Sequence, residues 1–344
     1  MFTDIDITGY RGIRHCTLSG LSRINLFFGK NNCGKSSVLE AVFLLSGPDN
    51  TFLPIMMNKT RGIREFTPRT FALEFYQPNP HNEILISAGG AEPRTLKIEM
   101  IKVEDSDIDL AEAGKDDSSR LAQAYGFAST FTVGDSSIEY HSQILVDTED
   151  SSKAKMSRDS RYDERHPGRF VSARMPSKLE PSDYRIVVEN KAEKMIVDIL
   201  RIIEPRVVDV QIVGEDFLVD IGEDRRFPVN IMGDGFVKIF NIILSIYYCS
   251  GGVLIIDEID NGFHYSVMQK LWEAIYSACE RLDVQLFTST HSYDLIKAFA
   301  GAFADEDRSV AAYKLIRTAD DEIKSLRYDV AQLEYSLEQD IEMR

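Results

Sequence analysis

Residues 29–36 read Gly-Lys-Asn-Asn-Cys-Gly-Lys-Ser, a complete GxxxxGK[ST] pattern. The residues before it, Ile24-Asn25-Leu26-Phe27-Phe28, form a short apolar strand. After it, Val38, Ala41, Val42 and Leu45 recur at helical spacing until Gly47-Pro48 stops the helix. A strand that runs through a glycine loop straight into a helix is one half of a parallel α/β unit. Triphosphate oxygens need many donors at short range, and backbone N–H groups supply them where no side chain intrudes, hence Gly29 and Gly34. The helix adds the positive end of its dipole. The pattern therefore predicts a nucleotide cradle of Gly29, Lys30, Asn31, Asn32, Cys33, Gly34, Lys35, Ser36 and Ser37. Lys35 would reach the β- and γ-phosphates and Ser36 would ligate Mg²⁺.

The matching half lies near the other end of the chain. Val253-Leu254-Ile255-Ile256 is a continuous apolar run, as expected of a strand covered on both faces. It ends in Asp257-Glu258, at the sheet edge where α/β ligands bind. Asp257 is expected to hold the metal and Glu258 to orient and deprotonate water. The next apolar strand, Val284–Thr288, ends in Ser289-Thr290-His291, where a histidine can donate to a γ-phosphate.

Alternation predicts an outer strand at residues 2–8, followed by a turn at Gly9–Gly12. A broken β pattern covers Phe71–Tyr76, Ile84–Ser87, Leu96–Val103, Phe131–Val133 and Ile138–Ile144. Asp105–Ser119 reads as an acidic loop, and Ser151–Gly168 as a polar, basic, mobile one. A short strand is expected at Phe170–Ser172, one helix over Asp183–Ile203, and a hairpin over Val207–Ile221 turning at Gly214-Glu215. Helices are predicted over Phe236–Cys249 and Tyr265–Arg281. The tail offers a helix capped by Asp329, with Val330, Leu333, Leu337 and Ile341 on one stripe, either docked on the chain's own core or open to a partner.

The chain has 344 residues and a formal charge of −16, which favours solubility and disfavours broad binding to a phosphate backbone. The charge is uneven. Lys102–Arg120 holds seven acids and three bases, and Lys153–Lys178 eight bases and three acids. A nucleic-acid contact and a solvated loop are both open for the second stretch. Four cysteines without CxxC pairing argue against a zinc site or disulfide framework. No apolar run is long enough to span a membrane, and the start lacks a secretory signal. A cytoplasmic protein is expected.

The three elements in this order resemble the ATP-binding cassette superfamily, and within it the RecF/SMC-like branch. Gly9-Tyr10-Arg11-Gly12-Ile13 with Asn25 to Ser37, Leu254 to His264, and Thr290-His291-Ser292 is similar to the OLD-family (overcoming lysogenization defect) ATPases. The resemblance covers about 1–50 and 228–300. It implies an α/β P-loop NTPase of ABC type with a mixed sheet, an antiparallel β subdomain and an inserted α/β lobe. The core would comprise 1–75 and 225–318, the inserted lobe 76–224 and a helical tail 319–344. It further implies ATP and Mg²⁺ as cofactors, and two subunits that sandwich ATP in a homodimer or higher oligomer. Met232-Gly233-Asp234-Gly235 stands where the superfamily carries its signature segment. Gly233, Asp234 and Gly235 would thus meet the partner's nucleotide, although the serine of that segment is replaced by Met232 and a carboxylate enters. Asp260 would lie at the dimer seam, and Gln77 would be the metal-sensing glutamine. About 45 residues after the region of His291 leave no room for a TOPRIM nuclease domain, so the resemblance implies a standalone ATPase with a separate TOPRIM-like effector, frequently in anti-phage defence. A RecF-like DNA clamp and a slow ATP-gated scaffold are the rival readings.

Overall fold

The computed structural model describes residues 1–104, 123–135, 137–147, 154–172, 179–304 and 309–339. The predicted acidic loop at Asp105–Ser119 lies outside the described residues, as does Ile341 of the tail stripe. Elements run in the order β1 Phe2–Tyr10, β2 Ile13–Ser19, β3 Ile24–Phe28, α1 Lys35–Ser46, α2 Leu53–Thr60, α3 Pro68–Ala72, β4 Ile84–Gly90, β5 Arg94–Glu104, β6 Gln123–Val133, β7 Tyr140–Asp147, β8 Ala154–Ser157 and β9 Gly168–Val171. There follow α4 Pro181–Glu189, α5 Glu193–Ile203, β10 Asp209–Val213, β11 Asp216–Asp220, β12 Phe227–Pro228, α6 Asp234–Tyr248, β13 Val253–Ile256, α7 Met268–Arg281, β14 Gln285–Ser289, α8 Tyr293–Phe303, β15 Val310–Arg317, β16 Glu322–Tyr328 and α9 Val330–Glu338.

One mixed sheet of 13 strands organises the chain, in the order β8-β7-β6-β5-β4-β1-β2-β16-β15-β3-β14-β13-β9. Strands β15, β3, β14, β13 and β9 run parallel. All residues of β3, β14 and β13 are buried because both faces are covered. Helix α1 lies on one face, with Phe27, Ile255, Phe287 and the inner residues of β1, β4 and β5. Helices α4 to α9 cover the other face, against Ile24, Leu26, Leu254 and Leu286. Strands β4 to β8 continue the same sheet as an antiparallel ribbon. The hairpin β10–β11 with β12 forms a small second sheet.

Four local expectations are corrected. Residues 71–76 are not a strand. Thr67 caps a short helix through a reciprocal capping box with Thr70, and Pro68 opens it, so capping chemistry overrides the aromatic β propensity. Only Phe75 makes a bridge, to Tyr10. Strand β1 is not outer; it pairs with β2 on one side and β4 on the other. The Asp183–Ile203 helix is two helices, broken at Lys191 with φ 56°. The loop expected at Ser151–Gly168 contains β8, which pairs with β7. The tail helix forms as read: the Asp329 side chain accepts from the Gln332 N–H, and Leu333 is buried in the helical layer.

Candidate functional site

The carboxyl ends of β3, β13 and β14 define the site. Strand β3 delivers the chain into the glycine loop. At Gly29 φ is 136°, and a Cβ there would sit 2.5 Å from the Leu315 carbonyl oxygen. At Gly34 φ is 102°, and a Cβ would meet Ile323 at 2.2 Å. Both positions therefore require glycine. Helix α1 then starts at Lys35 with no side-chain cap and no acid in its first turn, which leaves its N–H groups for an anion. The Lys35 ammonium is buried. It donates to the carbonyls of Gly29 at 2.8 Å and Lys30 at 3.0 Å, and lies 3.8 Å from Cys33 Sγ. Burial lowers its pKa, while Cys33, Asp257 and Glu258 act in the opposite sense. Asp257 and Glu258 thus act electrostatically on the loop ammonium. Lys30, Asn31 and Asn32 are exposed and Ser36 is half-buried.

The loop is held from outside by Arg317, whose Nε donates to the Asn32 carbonyl at 3.1 Å and whose Nη1 donates to that of Gly12 at 2.6 Å. A cleft of about 470 Å³ runs there between Lys30–Cys33 and Lys314–Arg317. On the other side, Ser37 Oγ accepts from Arg61, which also clasps Glu40 of α1. Glu40 in turn meets Arg11 at 2.7 Å, and Arg11 meets Glu74 at 3.1 Å.

Strand β13 presents Asp257 and Glu258. Asp257 Oδ1 accepts from Ser289 Oγ at 2.6 Å. Glu258 takes φ 55°, a left-handed value rare outside glycine and concentrated at functional sites. Its Oε2 accepts from Asn261 at 3.2 Å, and its Oε1 lies 3.5 Å from His291 Nε2. Thr290 Oγ1 donates to Asp260 Oδ1 at 2.7 Å. The fold therefore gathers Lys35, Asp257, Glu258 and His291. The donor set of a serine hydroxyl and a carboxylate is hard oxygen, which suits Mg²⁺. Ser36 at the start of α1 and Asp257 after β13 would supply those oxygens.

Gly233, with φ 91°, caps α6, and nothing stands within 4 Å of where its Cβ would be. Asp234 is exposed in the first turn and Gly235 faces Phe263. The carboxylate at 234 thus lies on the open helix end. Gln77 is exposed, with φ 53°, and donates to the Tyr76 hydroxyl at 3.3 Å. Three of the described arginines in the basic stretch meet carboxylates. Arg158 meets Asp49, Arg161 meets Asp159, and Arg169 meets Asp183. Ser289, Thr290, Asn261 and Arg61 had no role in the sequence reading. The first three lie inside the motifs above; the partners of Ser289 and Thr290 are visible only once β13 and β14 are adjacent, whereas Asn261 reaches back three residues to Glu258.

This arrangement, on a mixed sheet with an antiparallel ribbon, is the ABC-type P-loop ATPase fold of the SMC-head kind. The chain belongs to the family described as "AAA domain, putative AbiEii toxin, Type IV TA system", whose profile matches residues 24–297. It is 22% identical over 337 residues to a protein of Helicobacter pylori named "ATP/GTP phosphatase", covering 89% of this chain and 90% of that one. A 54-residue segment is 44% identical to the DNA replication and repair protein RecF of Stutzerimonas stutzeri, 16% of this chain and 14% of that protein. Among solved structures, an SMC head bound to the C-winged helix domain of ScpA superposes with a TM-score of 0.51 at 10% identity, over 96% of this chain and 98% of that one.

Proposed function

We propose that the chain hydrolyses ATP, that nucleotide closes two copies of it around the bound triphosphates, and that hydrolysis reopens them. The supporting observation is the gathering of the Lys35 ammonium, Asp257, Glu258 and His291 at the carboxyl ends of three adjacent parallel strands. In this reading the loop amides and Lys35 bind the phosphates, Lys35 exchanging loop carbonyls for phosphate oxygens. Bound Mg²⁺, held by Ser36 and Asp257, neutralises phosphate charge. Glu258 accepts the proton of the attacking water, and His291 holds the Glu258 carboxylate and faces the γ-phosphate position. The exposed N-terminus of α6 at Gly233–Gly235 approaches the partner's nucleotide, with Asp260 near the seam.

The division into a core of 1–75 and 225–318, an inserted lobe of 76–224 and a tail from 319 is part of the same proposal. The inserted ribbon joins the core through the sheet, so subunit movement reaches a partner through it. The likeness to OLD-family standalone ATPases favours a separate TOPRIM-like effector and a role in anti-phage defence. The RecF segment favours a second reading, a DNA clamp. Against it, Arg161 and Arg169 of the basic stretch are already engaged by carboxylates. The test is phosphate release by wild type and Glu258→Gln, with and without DNA. The proposal expects a loss of ~10²-fold or more in the variant. Wild type with no turnover under any condition would leave only an ATP-gated scaffold.

A further inference from the structure

The last residue of β14 makes three bonds to the segment Asp257–Ile259. Ser289 Oγ donates to Asp257 Oδ1 at 2.6 Å and accepts from the Glu258 N–H at 2.9 Å. The Ser289 carbonyl accepts from the Ile259 N–H at 3.0 Å. Ser289 is fully buried, so water cannot stand in for it.

A hydroxyl has one proton to give. Here the Glu258 N–H occupies its acceptor side, so the proton is directed at Asp257. The 2.6 Å separation is in the range of a charge-assisted bond to a carboxylate. With Oδ1 committed to the serine, Oδ2 is the Asp257 oxygen left for a metal or its water. The same hydroxyl fixes the peptide at Glu258, whose φ of 55° sets the direction of the side chain. One side chain thereby holds the Asp257 carboxylate and the backbone of Glu258 together on β14.

We infer that Ser289 is a positioning residue for metal binding and proton acceptance at Asp257–Glu258, acting through hydrogen bonds and without touching nucleotide. The inference rests on the ATPase reading above. Partners of metal-ligating carboxylates commonly govern about 10–100-fold in metal affinity or activity.

The experiment compares wild type, Ser289→Ala and Ser289→Cys by titration with a fluorescent ATP analogue, once with Mg²⁺ and once in excess chelator. Hydrolysis is measured against Mg²⁺ concentration in parallel. Ser289→Ala is expected to weaken Mg·ATP binding by about 10–100-fold and to raise the Mg²⁺ needed for half-maximal hydrolysis. Metal-free ATP binding should stay within about twofold, since the phosphate loop is untouched. Ser289→Cys, with a weak donor of similar shape, should fall between, and it carries the test alone if the alanine variant does not fold. Unchanged Mg²⁺ dependence, or an equal loss with and without metal, overturns the inference. Wild type that binds Mg·ATP but releases no phosphate would sink the hydrolysis reading, and the ratio of the two affinities would still decide the role of Ser289.

Discussion

His291 Nε2 stands 3.5 Å from Glu258 Oε1, while Asn261 Nδ2 holds Oε2 of the same carboxylate at 3.2 Å. Each Glu258 oxygen thus has one neighbour and keeps a lone pair open to water. The two contacts come from different segments, one at the end of β14 and one from the turn after β13. Loss of His291 removes the donor nearest the expected γ-phosphate position. His291→Ala should lower phosphate release by about 10²-fold, as removal of one preorganised donor does. Mg·ATP affinity should be almost unchanged. A parallel loss of binding and turnover would assign His291 to nucleotide binding instead. The check is steady-state kinetics together with equilibrium nucleotide titration.

Lys35 gives the second prediction. Its ammonium donates to two loop carbonyls, and burial weakens its proton affinity. Phosphate oxygens replace those carbonyls with anionic acceptors, so the ion gains most when nucleotide binds. Lys35→Ala should weaken Mg·ATP binding by about 10–100-fold, the worth of a hydrogen bond to a charged group. The exposed loop carbonyl of Lys30 can turn to water, so the unfolding midpoint should move little. Full affinity in the variant would remove the phosphate loop from the site.

How far the site could be read from sequence depended on distance along the chain. The glycine loop was legible because eight consecutive residues carry its whole mechanism. The Asp257-Glu258 pair was legible because an all-apolar strand points at it. The bonds from Ser289 and Thr290 were not, because they cross between strands 32 and 30 residues apart. Strand β2 was missed for another reason. Its pattern, Ile13, Cys16 and Leu18, breaks strict alternation, and its pairing with β16 comes from the far end of the chain. Residues 71–76 misled because Phe71, Phe75 and Tyr76 favour strands, whereas the Thr67-Pro68 start favours a helix.

The buried charges beside α1 predict a pH effect. Glu74 is fully buried, and burial pushes its carboxyl up to about 7, with Arg11 opposing and Glu40 reinforcing the rise. An acid whose folded pKa lies above its unfolded value holds its proton longer in the native state. Stability then falls as pH rises from about 4.5 to about 7 and levels off above that. The window corresponds to at most about 3 kcal/mol. Glu74→Gln keeps the shape and removes the titration. Urea unfolding from pH 5 to 8 should show a flatter profile for the variant, with its advantage over wild type greatest above pH 7. Parallel profiles would show that Glu74 titrates alike in both states.

Arg169 separates a structural role from a nucleic-acid contact. Its guanidinium holds the Asp183 carboxylate through two bonds, one of 2.9 Å, and lies 3.9 Å over the Tyr248 ring. It thereby ties β9, beside β13, to α4 and to the end of α6. Truncation leaves Asp183, only 10% exposed, without its cation. Arg169→Ala should therefore cost about 2–4 kcal/mol, near the range for breaking a largely buried pair. The melting temperature should drop by several degrees. Arg165 is exposed in the same basic stretch. Arg165→Glu should leave melting unchanged and so tests DNA binding without disturbing the fold. Loss of salt-sensitive, ATP-dependent DNA binding in Arg165→Glu would favour the clamp reading. An unchanged affinity there, with Arg169→Ala altered only in stability, would direct the search toward a protein partner.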